Sequence, residues 1–299
     1  MFSSPRLPRI LPSRGLSPKL VSVLQVTPMA LVYITLVLVP LGLIFVVSFL
    51  DYNFAQVFPE LYLETWIDTL TSDLTLSLYL KTFKFLIIVW CICAPLGFAI
   101  AYFLAYHIRT NWVRTLLVAA IAIPFWTSGP IRMVSWVPLL GREGLVNQTL
   151  MGLGLVDQPV SWLMYSEFAV IVAYVQMLTM PMIATSLNSM AKIKPSVIQA
   201  AEDAGASEWQ IVRDVIFPLV RPGLAIGTVI IVTAVMGDVF MVKYMGGSQV
   251  NTVGMSIITD LNAFMYPPAA AKSVLLLFVV LTIVLALLRF ADIRKELRQ

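Results

Sequence analysis

The sequence predicts an all-α integral membrane protein with six transmembrane helices. Three observations lead there: a composition too apolar for a soluble domain, six long apolar runs, and a lopsided distribution of basic residues. Of 299 residues, 59% are apolar and 12% are charged, against about 25% charged in a soluble domain. The mean hydropathy is +0.89. A membrane-crossing helix needs roughly 20 apolar residues.

The first run is Met29–Leu50. It is longer than the roughly 7–15 residues of a signal-peptide core, so it reads as a retained first span. Residues 1–28 carry Arg6, Arg9, Arg14 and Lys19 and no acid, with frequent Pro and Ser. They read as a cytoplasmic tail, with Leu20, Val21, Val23 and Leu24 suited to a short interfacial helix. Five further spans are expected near Phe85–Tyr106, Leu116–Leu139, Phe168–Leu187, Leu224–Lys243 and Ala270–Arg289. The third contains Pro124, Gly129, Pro130 and Arg132. Proline removes a donor and clashes with the preceding turn, so this span should break near its outer end. Residues 29–289 form one membrane domain, and 290–299 a short tail.

Orientation follows from the basic residues. With the N-terminus inside, 14 of the 20 Lys and Arg residues fall in inner segments or tails, as the positive-inside bias requires. Both termini are then cytoplasmic. The outer loops are acidic, with Asp51, Glu60, Glu64, Asp68 and Asp73 in the first and Glu143, Asp157 and Glu167 in the second. The net charge of +4 therefore reports topology in a lipid bilayer, not binding to nucleic acid.

Several chemistries are excluded. The sole histidine is His107, which leaves no site needing two histidines, including the HExxH zinc motif. There is no G-x4-G-K-[ST] phosphate loop, so the chain should not hydrolyse ATP. Cys91 and Cys93 point about 200° apart on a helix and read as small apolar residues. No catalytic residue, metal site or cofactor is expected on this chain.

The most polar stretch between the apolar runs is QAAEDAGASEWQIVRDVIFPLVRPG, Gln199–Gly223, placed on the cytoplasmic side within a loop spanning 188–222. Pro195 suits a first helical turn. Val197, Ala200, Ala201 and Ala204 then share one apolar face, opposite Gln199, Glu202 and Asp203. Gly205 is placed to end that helix in a left-handed turn, and Ser207 to cap the next. Trp209, Val212 and Ile216 form a second apolar stripe. Pro218 should stop the second helix, and Pro222 start the fifth span. Gly223 and Gly227 form a GxxxG pair that permits close helix approach, within the subunit or between subunits.

This hairpin resembles the E-A-A-x3-G-x9-I-x-L-P loop of the membrane subunits of bacterial ATP-binding-cassette importers. Ala200, Ala201, Gly205 and Pro218 match in position, while Gln199, Val215 and Phe217 replace the Glu, Ile and Leu. The segments IPFWTSGPIRMVSW and GDVFMVKYMGG are similar to the spermidine/putrescine permease branch of this family. The resemblance implies a type I importer permease in the bacterial inner membrane. Gln199, Ala200, Ala201, Glu202, Asp203, Gly205 and Pro218 would then couple to an ATPase. It also implies two ATPase subunits holding ATP and Mg, a second and different permease subunit, and a periplasmic solute-binding protein. The implied cargo is a polyamine, with another small organic solute or iron as alternatives. An ion-coupled secondary transporter is the alternative from another class, and would need no coupling hairpin.

Within the membrane, Asp238 lies roughly 22 Å along the fifth span from Gly223 at 1.5 Å per residue. An intramembrane carboxylate faces a cavity or a partner. Asp238 is thus either an acid of the substrate path or a structural group, bonded to Arg132 or Lys243 or fixing the outer end of the span. Arg132 is expected to anchor the broken helix through free carbonyls, with substrate contact as the other reading. Trp126, Trp136, Tyr165, Tyr174 and Tyr244 can offer aromatic faces to an amine or serve as packing and interfacial anchors.

Overall fold

The computed structural model describes residues 18–53, 56–108 and 110–290. The expected 290–299 tail falls almost wholly outside them. So do Arg6, Arg9, Arg14, Arg109, Arg294, Lys295 and Arg298, which entered the orientation argument. Among the described residues five helices are long and apolar enough to cross a membrane, and a bent pair, taken as one span, makes a sixth.

In chain order the first span is α1 (Gln25–Val47), continuous with helix from Pro18, so the expected interfacial segment is part of the same rod. A hairpin follows, β1 (Leu50–Asn53) and β2 (Gln56–Leu61), antiparallel with Asp51 opposite Phe58 and Tyr52 opposite Val57. Next come α2 (Glu64–Thr71), α3 (Asp73–His107) and the bent pair α4 (Asn111–Trp126) and α5 (Gly129–Gly152). Beyond these are α6 (Glu167–Met190), α7 (Pro195–Asp203), α8 (Glu208–Gly237), α9 (Phe240–Gly246), α10 (Val253–Asn262) and α11 (Tyr266–Arg289).

The core is a three-helix seam of α3, α6 and α8, with α11 against α8 and α1 against α11. Phe85, Val89 and Cys93 of α3, Tyr174, Leu178 and Met182 of α6, and Ile231, Val235 and Met236 of α8 fill the larger apolar cluster. A smaller cluster of Ala101, Leu104, Ile183, Met190, Ile211, Ile216 and Val220 lies under the α7 hairpin. The GxxxG pair belongs to the intrasubunit seam. A Cβ on Gly223 would come 2.5 Å from the Thr185 carbonyl oxygen, and one on Gly227 2.8 Å from Thr185 Oγ1. Cys91 is exposed and Cys93 buried, both as free thiols.

Four sequence expectations need correction. The broken third span turns by 97° between Trp126 and Gly129, so it splits near its middle. Pro218 stops nothing. The helix runs through it and through Pro222 as part of α8, because a π-turn at Ile211–Ile216 precedes Pro218. The wider turn moves the carbonyl that the ring would otherwise strike. The same device, a π-turn at Ile34–Leu38, precedes Pro40 in α1. The π-turn at Ile211–Ile216 also changes the second stripe: Ile211 and Ile216, five apart, are buried, while Trp209 is 71% exposed. The fourth correction concerns the fifth span, which ends at Gly237 rather than Lys243, with Asp238 extended and α9 starting anew.

Candidate functional site

The hairpin forms from residues that each close one end of a helix. Pro195 opens α7. At the other end the amide of Gly205 donates to the Glu202 carbonyl at 2.9 Å and that of Ala206 to the Ala201 carbonyl at 3.0 Å. This bond pair is the Schellman motif, which needs a left-handed residue at its hinge. Gly205 supplies it with φ +80°. Ser207 then caps α8: its Oγ accepts from the Gln210 amide, and the Gln210 side chain accepts from the Ser207 amide. The S-x-x-Q spacing of this capping box was legible in the sequence.

The four residues of the expected apolar face divide. Ala201 packs on the smaller cluster together with Ile198 and Ala206. Val197, Ala200 and Ala204 remain exposed, a low, small-residue surface that another protein can approach closely. Gln199, Glu202 and Asp203 are exposed beside it. Gln199 and Glu202 also line a cavity of about 500 Å³ with Tyr106 and Arg114. Pro218 is half-buried in the body of α8, roughly 15 Å along the rod from its capped end at 1.5 Å per residue. Six of the seven expected coupling residues are therefore together at the tip, and Pro218 is not.

At the far end of α8, Asp238 caps the restart of the chain. Its Oδ2 accepts from the Met241 amide at 2.8 Å and from the Tyr174 hydroxyl at 3.2 Å. It forms no ion pair with Lys243 or Arg132 among the described residues. Arg132 is 7% exposed and turns back on the bend, donating from Nη2 to the Thr127 carbonyl at 2.7 Å and from Nε to Thr127 Oγ1 at 3.4 Å. This is the helix-anchoring geometry expected from its place after Pro130. The aromatic residues scatter. Tyr174 is 1% exposed, Trp126 is 88% exposed and Tyr244 39% exposed, and Trp136 packs on the larger cluster. Tyr165 is exposed and takes a positive φ. Only Tyr174 and Asp238 are hydrogen-bonded to each other.

Comparison with known proteins bears on this arrangement. Residues 94–294 match the family described as the binding-protein-dependent transport system inner membrane component. The chain belongs to this family. The permease is 30% identical over 228 residues to the spermidine/putrescine transport system permease protein PotB of Escherichia coli K12, covering 76% of this chain and 77% of that one. It is equally similar to PotB of Salmonella typhimurium LT2, covering 76% and 74%. The inner membrane ABC transporter permease protein YdcU of E. coli K12 is 25% identical over 244 residues, covering 78% and 77%. Among solved structures, a bacterial ABC transporter that imports the acidic polysaccharide alginate superposes with a TM-score of 0.72 at 15% identity, over 92% of this chain and 96% of that one. That likeness establishes the type I importer permease fold. The permease is thus a multi-pass inner-membrane transport subunit rather than an enzyme, in a family whose ATPase is a separate chain.

Proposed function

We propose that this permease forms half of the translocation path for a small aliphatic polyamine of the spermidine or putrescine kind. The observation that carries this reading is the similarity to PotB proteins along three quarters of both chains. In this reading α7 and its glycine turn dock on one of two ATPase subunits, which hold ATP and Mg. A second, different permease completes the path, a periplasmic binding protein delivers the cargo, and both termini are cytoplasmic. The loop 188–222 is the coupling element of a single unit, 29–289. Docking depends on shape: the exposed Val197, Ala200 and Ala204 admit close contact, and Gln199 brings hydrogen-bonding capacity without charge.

The test is uptake by the whole importer reconstituted in liposomes, with binding protein outside, ATP inside and labelled putrescine as cargo. ATP-dependent accumulation is expected. Uptake driven by an ion gradient without ATP would sink the importer mechanism. ATP-dependent uptake of another solute, with none of putrescine or spermidine, would sink the substrate assignment.

A further inference from the structure

The cavity of about 500 Å³ behind α7 has the size of a small-molecule site, and both charged residues that line it lack an ionic partner. Arg114 of α4 is the first. Leu117, Val118 and Ile121, at i+3, i+4 and i+7 from it, pack on the smaller apolar cluster, and residues so spaced share one helix face. Trp112, Leu116 and Ile123 are exposed and lie roughly 160–180° around the helix from Arg114 at 3.6 residues per turn. Arg114 therefore belongs to the covered side of α4, away from the open stripe where lipid or a neighbouring subunit would lie, and faces the cavity.

There the guanidinium is only half satisfied. Nη2 donates to the Ile108 carbonyl at 3.4 Å, longer than the roughly 2.7–3.2 Å of an ordinary N–H···O bond. Nε is buried with no partner. Nη1 makes no hydrogen bond among the described residues and, unlike Nε, is not buried. Glu202 is the second charge. It lies on the α7 wall, exposed, and its carboxylate has no partner among the described residues. The two charges are opposite in sign and line one cavity, yet no ion pair joins them. They stand too far apart to neutralise each other directly. The lining between them suits a short chain: Leu187, Met190 and Ile198 are apolar, and the Gln199 amide can donate or accept.

We infer that this cavity is a binding site for a small zwitterion, a molecule carrying an anionic group and a primary ammonium a few carbons apart. The anionic end takes Arg114, whose planar fork binds carboxylates and phosphates through paired bonds. The ammonium, with three donors and no acceptor, takes Glu202. The charge pattern selects this class by rejecting the others. A dication satisfies Glu202 and confronts Arg114, and a dianion does the reverse. Two sources carry the chemistry, a free amino acid and the head group of phosphatidylethanolamine. Once bound, the zwitterion ties α7 to α4 across the cavity and so adds a control point to the hairpin. The site uses neither Asp238 nor Tyr174 and does not depend on the choice of cargo.

The experiment is calorimetric titration of the whole importer in nanodiscs, without ATP or binding protein. The probes are 4-aminobutyrate, putrescine and succinate, four-carbon chains that differ in their end groups, with 6-aminohexanoate for a longer reach. Saturable binding of a zwitterion is expected. It should weaken about two- to fivefold in Arg114→Met and in Glu202→Gln, as loss of one partly exposed ion pair implies, and be largely kept in Arg114→Lys. Thermal unfolding checks each variant. Glu202 is on the exposed wall, so Glu202→Gln carries the test if Arg114→Met unfolds. No binding of either zwitterion, or equal binding by the unaltered importer and both charge-removing variants, would overturn the inference. Binding of succinate but of neither zwitterion, lost in Arg114→Met, makes the cavity an anion site and also overturns it. Discs of phosphatidylethanolamine and of phosphatidylglycerol separate the sources. Binding of 4-aminobutyrate confined to phosphatidylglycerol discs assigns the site to the lipid head group, and equal binding in both assigns it to a free solute. Putrescine uptake is read separately in liposomes, so loss of the site leaves the cargo assignment standing.

Discussion

Gly205→Val isolates the turn of the hairpin from the rest of the molecule. A Cβ built on Gly205 meets nothing within 4 Å, so the substitution introduces no clash. What it introduces is conformational strain, because φ is +80°. The left-handed region costs an L-residue about 1–2 kcal/mol, and β-branching makes it less accessible still. The chain can relieve this by opening the turn, which gives up the Gly205–Glu202 and Ala206–Ala201 bonds, each worth about 1 kcal/mol net. Either route places the penalty near 1–2 kcal/mol, a factor of roughly 5–30 in the ratio of ordered to disordered tip. The α3–α6–α8 seam does not involve residue 205. Thermal unfolding of the purified subunit should therefore be unchanged, while retention of the ATPase on affinity-purified complex and cargo-stimulated ATP hydrolysis fall, by at most that factor. Gly205→Asn should fall between, since Asn tolerates this conformation. Normal stimulated hydrolysis and normal transport by Gly205→Val would refute the assignment of α7 and its turn as the coupling element.

Asp238→Ala removes the acceptor for the Met241 amide and should destabilise the detergent-solubilised subunit by about 0.5–2 kcal/mol; Asp238→Asn keeps an acceptor and should unfold close to the unaltered temperature. If the two variants unfold alike, the capping role is wrong. Gly223→Val would place side-chain atoms against Ser189 Oγ and the Thr185 carbonyl, where even a Cβ clashes with both. A loss of about 1–3 kcal/mol is expected from such overpacking, read as lower yield of monodisperse subunit and a lower unfolding temperature. Arg132→Lys replaces a planar fork with a single ammonium and should loosen the 97° bend, seen as faster proteolysis or hydrogen exchange around 124–132.

The six spans were legible because an apolar stretch of about 20 residues has few other outcomes. The hairpin was legible because its ends are set by local chemistry: Pro195, Gly205 and Ser207 act within one turn of themselves. What escaped were effects of backbone register and of distance. Pro218 looked like a stop because the wide turn at Ile211–Ile216 has no residue signature, and that turn also displaced the Trp209–Val212–Ile216 stripe. Asp238 looked like an intramembrane charge in a helix because nothing nearby in sequence announces that the helix ends at Gly237. Its hydrogen-bond partner Tyr174 is 64 positions away, and single-sequence reading has no means to join them. Arg114 and Glu202 reach one cavity only through the fold; the sequence shows one beyond the second span and the other in the hairpin.

The continuity through Pro218 alters how the two ends of the molecule relate. Had Pro218 stopped the helix, the tip at Gly205 would join the fifth span through a hinge, and a push on the tip would be absorbed there. Instead α8 runs 30 residues from its capped start to Gly237, roughly 45 Å at 1.5 Å per residue. One end carries the Ser207 capping box and the other the Asp238 restart. Near its midpoint, Gly223 and Gly227 press α8 against Ser189, Thr185 and Met182 of α6, too closely for the two helices to slide past one another without a clash. A displacement of α7 therefore carries α6 and α8 together. Its first compliant point is the extended residue at 238, where the chain breaks and Tyr174 of α6 holds the same carboxylate. The glycine seam and the aspartate cap act in series, one making the rod pair rigid and the other fixing where that rigidity ends.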